Sequence, residues 1–230
     1  MDEKARPLNN TDIVHPPVTA SKSAEDFYRL MECYFNYVCA NAEDKKFAPL
    51  SSKLGGLFTL KGVWLDTVIL LICVVVEAVL AEERFKCIAA QNSETVDAIG
   101  ILIDAVKAAG VDEKIRSRAV TSISNLKSVS AADKLNSLTL VGAIEKGDLT
   151  NWKKRRNKAA HGTFVLDSKE IQHALDDVFR LTTLVYKLVF LLIGYSGKYS
   201  NRTARGWRDD EFEAQGYWAA LEKSADSRKS

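Results

Sequence analysis

Apolar residues recur at steps of three and four along most of this chain, which is the spacing typical of amphipathic α-helices. The first such stretch begins after Ser23, a residue type that caps helices, and continues to Val38. A looser segment around Pro49 and Gly55 follows it. The next stretch, near residues 63–85, is apolar on nearly all sides, so we expect it at the centre of the fold.

Glycines and capping residues mark the ends of the later helices. The pattern predicts the following segments: a helix over 94–109 ending at Gly110, one from the cap Asp112 to about 126, one over 131–146 closing at Gly147, a short basic helix starting at Asp148 or Thr150, and a long helix from Asp167 or Ser168 to about Ile193. The alternation typical of strands is almost absent, and residues 163–166 could be either a short strand or a loop. The predicted fold class is all-α.

The 230 residues suit one compact domain. Residues 1–20 hold three of the four prolines, which predicts a flexible N-terminal lead-in. We expect the helical domain at residues 21–195. Residues 196–230 are polar but contain several aromatic side chains, so we expect this tail to pack back on the bundle.

Composition narrows the classes of partner. With 32 basic and 30 acidic side chains, any binding of nucleic acid must come from a local patch. The four cysteines, Cys33, Cys39, Cys73 and Cys87, lack the spacing of a zinc site, so we expect no metal and assign them as reduced packing residues. No apolar secretory segment follows Met1, so we expect a cytoplasmic protein.

Two segments are apolar enough to suggest a membrane span, 63–80 and 181–193. Asp66 and Glu77 limit the first to an apolar run of ten residues, and Lys187 interrupts the second. Because a span needs about 20 apolar residues, both are better explained as buried bundle helices. We expect no membrane partner.

The basic helix contains the candidate chemistry. Five of the six residues from 153 to 158 are basic, which suits a polyanion such as RNA. Leu149, Trp152, Arg156 and Ala159 form one stripe of this helix, so Arg156 should face the core or an interface. A guanidinium in that position needs an anionic partner, either a phosphate or Glu77.

A guanidinium and an imidazole near one helix end can together hold a phosphodiester and move a proton. The candidates are Arg156 and His161; a guanidinium stays charged, and an unperturbed imidazole exchanges its proton near neutral pH. Their directions on an ideal helix diverge by about 140°. A left-handed turn at Gly162 or the long arginine stem could relieve this, but we favour a second copy of the helix across a two-fold axis.

The string RNKAAH resembles the RNxxxH form of the Arg-x4-6-His signature of HEPN domains, the higher eukaryotes and prokaryotes nucleotide-binding domains. The chain is most similar to the HEPN module of ApeA-type defence proteins. That similarity extends to the glutamate-bearing apolar helix LICVVVEAVLAEE and the late stretch ARGWRDDEF, over roughly residues 25–215.

This resemblance implies a HEPN-like helical bundle with additional helices and a metal-independent endoribonuclease that acts as a homodimer without a cofactor. Arg156 would hold the scissile phosphate, Asn157 would orient it, and His161 would transfer protons during attack by the ribose 2′-hydroxyl, giving a 2′,3′-cyclic phosphate. By analogy the protein would be an antiphage or abortive-infection effector, with a sensor domain or regulatory partner. The lysines and arginine at the flanking positions would bind neighbouring phosphates without reading sequence: Lys153, Lys154, Arg155 and Lys158.

Structural interpretations compete with each functional one. His161 could be only a C-terminal helix cap, and the basic run only a solvated face. Glu77 could be a satisfied core carboxylate, a salt-bridge partner for Arg156, or a group that supports the catalytic residues from behind. Trp207 could stack an RNA base together with its neighbouring arginines Arg205 and Arg208, or could simply pack. The alternative function is a noncatalytic HEPN dimerisation or RNA-binding module.

Overall fold

The computed structural model describes residues 15–42, 49–58, 63–88, 93–160, 171–203 and 207–226. These residues are predominantly helical, which confirms the expected all-α class. The helices are α1 (Ala24–Ala40), α2 (Pro49–Phe58), α3 (Leu65–Leu80), α4 (Ser93–Ala108), α5 (Glu113–Ser124), α6 (Ala131–Leu140), α7 (Lys146–Ala160), α8 (Ile171–Ile193) and α9 (Ala214–Asp226). A two-stranded antiparallel sheet, β1 (Ser196–Ser200) with β2 (Asp209–Glu213), precedes α9.

The two most apolar helices form the centre of the bundle. α3 packs against α8, and α7 lies against both of them. Every residue of α8 from Leu181 to Ile193 is buried, and so is most of α3. Burial of these apolar surfaces is the main stabilising contribution to the fold. Within the described residues, no helix is both long enough and apolar enough to cross a bilayer.

Two predicted helix caps are confirmed. The Ser23 hydroxyl accepts a hydrogen bond from the backbone N–H of Asp26 at 3.2 Å, which starts α1. The Asp112 carboxylate accepts one from the N–H of Lys114 at 2.9 Å, which starts α5. Each cap gives an acceptor to an N–H group that has no partner inside the first turn. Each cap depends only on residues within one helical turn, and for that reason it can be predicted from the sequence.

The segment expected to be loose around Pro49 is a helix, so that expectation is wrong. Pro49 occupies the first helical position, where its missing N–H costs nothing. Leu50 and Leu57 are fully buried, and α2 packs against α3. Burial of these leucines outweighs the low helix propensity of Gly55 and Gly56.

The helix predicted over 131–146 ends earlier, at Leu140. Gly142 adopts φ +77°, a left-handed conformation that glycine takes at little cost, and the chain turns there. Ala143 and Ile144 are buried in the turn. α7 therefore begins at Lys146, before Asp148 and Thr150, the two expected starting residues.

Part of the expected flexible lead-in is ordered. The carbonyl of Pro17 accepts a hydrogen bond from the N–H of Ser200 at 2.8 Å, and Val18 is buried. The carbonyl of His15 accepts a hydrogen bond from the Tyr186 hydroxyl. The expectation is therefore wrong for residues 15–19, while residues 1–14 lie outside the described part of the chain.

The β-hairpin was not predicted from the sequence. Gly197 pairs with Phe212 in its register, and the rings of Tyr199 and Phe212 both lie against Phe190 of α8, with centroids 5.6 and 5.5 Å away. α9 follows, and the indole N–H of Trp218 donates to the carbonyl of Leu191 at 2.9 Å. Residues 196–203 and 207–226 therefore extend the core through their aromatic side chains.

All four cysteines are free thiols. Cys73 is buried in α3 and Cys33 is partly buried, as packing residues should be. Cys39 and Cys87 are exposed, so packing does not account for them and that part of the expectation is wrong.

Candidate active site on the basic helix

The N-terminal end of α7 is fixed by a buried ionic cluster. The Asp148 carboxylate accepts a hydrogen bond from Lys187 Nζ at 3.4 Å and one from Arg180 Nη1 at 3.5 Å, both on α8. It also accepts from the backbone N–H of Glu145 at 3.0 Å. Gly147 leaves the room that Arg180 needs, because a Cβ at this position would overlap the guanidinium. α7 is thus held against α8 at a defined height and rotation.

Burial raises the pKa of the Asp148 carboxyl, and the positive charge of Lys187 offsets part of that rise. Asp148 and Lys187 are both almost fully buried. A pair of this kind makes little net contribution to stability, but losing one partner is costly since the other charge remains in the core. The cluster therefore acts chiefly to specify how α7 is placed.

About two turns further along α7, the buried arginine is Arg155. Its guanidinium forms an ion pair with Asp177 of α8, and the Asn151 side-chain amide donates to the carbonyl of Asp177 at 3.2 Å. The Arg155 side chain is only 6% exposed. The prediction that Arg155 binds a flanking RNA phosphate is therefore wrong, because its cationic group points into the bundle.

The rotation of α7 also corrects the predicted stripe. Leu149 and Trp152 are buried as expected, but the buried face continues through Arg155 and not through Arg156. The physical reason is the position of Asp177, which supplies a carboxylate to the neighbouring arginine. The side chain of Ala159, the last member of the predicted stripe, lies outside the described part of the structure.

Arg156 instead reaches α3. Its Nε lies 3.0 Å from Oε1 of Glu77, and the two side chains are 48% and 40% exposed. Of the interpretations left open for Glu77, the ion pair with Arg156 is the one that is confirmed, and the satisfied core carboxylate is wrong. This pair brings together two predicted site residues that are separated by 79 positions in the chain.

The remaining predicted residues on α7 face solvent. Lys153, Lys154, Asn157 and Lys158 are all exposed, so the helix presents cationic groups on both sides of Arg156. This arrangement gives a local positive surface on a nearly neutral protein. His161 lies outside the described residues, and so do Gly162 and the stretch 163–166.

A buried thiol lies near the ion pair but is not set up for nucleophilic attack. Burial raises the pKa of Cys73 to about 12, and the negative charge of Glu77 adds to that rise. At neutral pH this cysteine is therefore a thiol, not a thiolate. Among the described residues no group of histidine, cysteine and carboxylate side chains is placed to hold a metal ion.

An exposed apolar stripe on α3 borders the ion pair, and sequence reasoning did not identify it. Leu70 and Val74 are 39% and 51% exposed although α3 is the central helix. With Glu77 they follow at steps of four and three, so all three lie on one face. The only sequence signal was that α3 is apolar on nearly all sides, which does not tell which side is left uncovered.

Sequence reasoning also missed Asp177, the residue that decides which arginine is buried. Its signal in the sequence is weak, since Asp176 and Asp177 are adjacent and either could face α7. Comparisons with known protein families, curated proteins and solved structures find no match to this chain.

Proposed function

We propose that this protein is a metal-independent endoribonuclease of the HEPN type. The observation that carries the proposal is the exposed Arg156–Glu77 pair on the basic face of α7. Because both partners are about half exposed, their mutual attraction is screened by water and is weak. A phosphodiester can therefore take the place of the carboxylate at the guanidinium at small cost.

In the proposed reaction Arg156 binds the non-bridging oxygens of the scissile phosphate. His161 takes the proton of the ribose 2′-hydroxyl, or returns one to the leaving 5′ oxygen. The 2′ oxygen forms a bond to phosphorus while the bond from phosphorus to the 5′ oxygen breaks. The products are a 2′,3′-cyclic phosphate and a 5′-hydroxyl, with no metal ion required.

The other exposed residues of α7 suit RNA without reading its sequence. Lys153, Lys154 and Lys158 can each contact a phosphate, and Asn157 can donate a hydrogen bond beside Arg156. This implies salt-sensitive binding and little base preference at the flanking positions.

A homodimer would complete the site. The apolar stripe of Leu70 and Val74 continues directly into Glu77, so a second copy that covers the stripe would bring its own α7 close to the first. This supports a composite site in which the two copies of Arg156 and His161 share one cleft. The analogy with defence proteins suggests that such an enzyme destroys host or invader RNA.

One observation favours the alternative, a noncatalytic dimerisation or RNA-binding module. Arg156 already has an anionic partner within the chain, as a purely structural ion pair would have. The alternative keeps the basic surface and the dimer but has no cleavage step.

Incubation of the purified protein with total RNA in chelator, followed by mapping of the cut ends, tests the proposal. We expect cleavage with cyclic phosphate ends, and we expect His161→Ala to abolish it while RNA binding remains. His173→Ala is the matched control, because this histidine is exposed on α8 and has no proposed role. Wild-type cleavage by His161→Ala would contradict the catalytic assignment. Salt-sensitive binding without any cleavage by the wild type would favour the alternative.

A further inference from the structure

Arg202, in the loop between β1 and β2, differs from the other buried cations of the described residues. Three of these have an acceptor within the chain: Lys187 has Asp148, Arg155 has Asp177, and Lys134 donates to the carbonyl of Leu80 at 2.7 Å. Arg202 is 8% exposed, and neither its Nε nor its Nη1 has a hydrogen-bond partner. Burying a guanidinium in this way is costly unless an anion is supplied.

The carboxylates of the adjacent strand do not fill this role. Asp210 accepts hydrogen bonds from the Asn201 side chain at 2.7 Å and forms an ion pair with Arg208 at 3.0 Å. Asp209 pairs with Lys22 at 3.0 Å. These acids are engaged by other cations and amides, so the anion for the buried guanidinium would have to come from another source.

A second buried group without a partner lies on the nearby face of α8. Thr182 falls between Phe179 and Tyr186 on that face, and its Oγ1 is buried with no hydrogen-bond partner. Trp207 connects this face to Arg202, because its ring centroid lies 5.9 Å from that of Phe179 and 4.7 Å from the Arg202 Cζ. Burial raises the pKa of Tyr186 to about 12, and the positive charge of Arg202 offsets part of that rise, which places Arg202 near this face.

Trp207 lies over the Arg202 guanidinium in a strained backbone conformation. Its φ of +50° lies in the left-handed region, which is unfavourable for a tryptophan backbone. One face of the indole is stacked on the Arg202 guanidinium, while the residue is 43% exposed. Movement of the ring away from Arg202 would open the guanidinium to solvent.

We propose that Arg202, Thr182 and Trp207 form a binding site for a small oxyanion, meaning a phosphate or carboxylate group. Arg202 supplies charge-assisted N–H donors in a partly dehydrated setting, Thr182 supplies a hydroxyl donor, and Trp207 is the movable cover. The site uses none of the residues assigned to RNA cleavage. The test of this oxyanion site is therefore independent of the test of the proposed ribonuclease activity.

Thermal unfolding and tryptophan fluorescence of the full chain, titrated with inorganic phosphate at constant ionic strength in chloride, test the proposal. We expect a saturable rise in Tm and a change in the fluorescence of Trp207, which Trp207→Phe identifies. Parallel titrations with acetate and with adenosine monophosphate distinguish the sources of the oxyanion. The anion that binds most tightly, phosphate, acetate or adenosine monophosphate, identifies the chemical class of the natural ligand.

Arg202→Gln should weaken phosphate binding by about tenfold or more, since it removes the charged donor. Arg208→Gln is the matched control: this arginine lies in the same hairpin but is 70% exposed and should leave binding unchanged. Should Arg202→Gln fail to fold, the nearly isosteric Thr182→Val should still weaken binding by about threefold. Equal responses to phosphate, acetate and chloride, or wild-type phosphate affinity in Arg202→Gln or in Thr182→Val, would overturn the site.

Discussion

Replacement of Asp177 by alanine tests which arginine of α7 faces the core. The Arg155 side chain is 6% exposed and that of Asp177 22% exposed, so the substitution leaves a buried guanidinium without its carboxylate. Breaking buried pairs in this way costs about 3–5 kcal/mol. Because Asp177 is partly exposed, we take the lower end, about 3 kcal/mol. At roughly 2–4 °C per kcal/mol for a chain of this size, Tm should fall by about 6–12 °C.

The comparison is with Glu77→Ala, which breaks the pair made by the next residue of the same helix. Both members of the Arg156–Glu77 pair are about half exposed, so its loss should cost less than about 1 kcal/mol, or less than about 4 °C. Far-ultraviolet circular dichroism during heating measures both variants under identical conditions. The fall in Tm should be large only when the buried Arg155–Asp177 pair is broken.

The double variant Asp177→Ala, Arg155→Met provides the control. Methionine fills a similar volume without charge, so removing both partners should restore most of the stability lost in the single variant. If Glu77→Ala destabilises as much as Asp177→Ala, or if the double variant is no more stable than Asp177→Ala, the assigned rotation of α7 is incorrect.

Three further predictions concern the same elements. In the pH interval between 3.8, the ordinary pKa of an aspartate, and the raised pKa of Asp148, the folded state binds a proton that the unfolded state does not, so the stability to urea should fall as the pH rises. Asp148→Asn should not show this fall. The same fall in Asp148→Asn would refute the assignment of the proton to Asp148. Replacing both Lys153 and Lys154 by glutamine should reduce the slope of log affinity for single-stranded RNA against log salt concentration by about 1.4, whereas Lys107→Gln on α4 should not change it. An unchanged slope in the double variant would show that the exposed face of α7 is not the RNA surface. Val74→Glu should weaken self-association by more than about tenfold in analytical ultracentrifugation, while the control Ile101→Glu on α4, at a position that is even more exposed, should not. Wild-type association of Val74→Glu would exclude the α3 stripe as the interface.

Much of the candidate site follows from short-range sequence patterns. The basic composition of 153–158 and the interruption of the apolar helix by Glu77 are visible directly, and each requires an electrostatic partner. The pairing of Arg156 with Glu77 was one of two alternatives that the sequence left open. The sequence alone could not decide between them, because the choice depends on α3 and α7 being neighbours in the folded bundle.

Other features needed contacts between distant parts of the chain. The hairpin of β1 and β2 is stabilised by the rings of Tyr199 and Phe212 against Phe190, although β2 itself reads as a charged segment. Helix α2 forms in spite of two glycines because Leu50 and Leu57 are buried beside α3. In both cases long-range burial outweighs local propensity.

The sequence by itself determined the helical class, the caps at Ser23 and Asp112, the central position of α3 and the burial of α8, because each depends on neighbouring residues or on total apolar surface. Only the tertiary structure decided that Arg155 is buried and Arg156 exposed, and that Nε and Nη1 of Arg202 are buried without a hydrogen-bond partner. Adjacent residues on a helix point about 100° apart, so which of them faces the core depends on where the carboxylates of other helices lie. That placement is a property of the packed bundle.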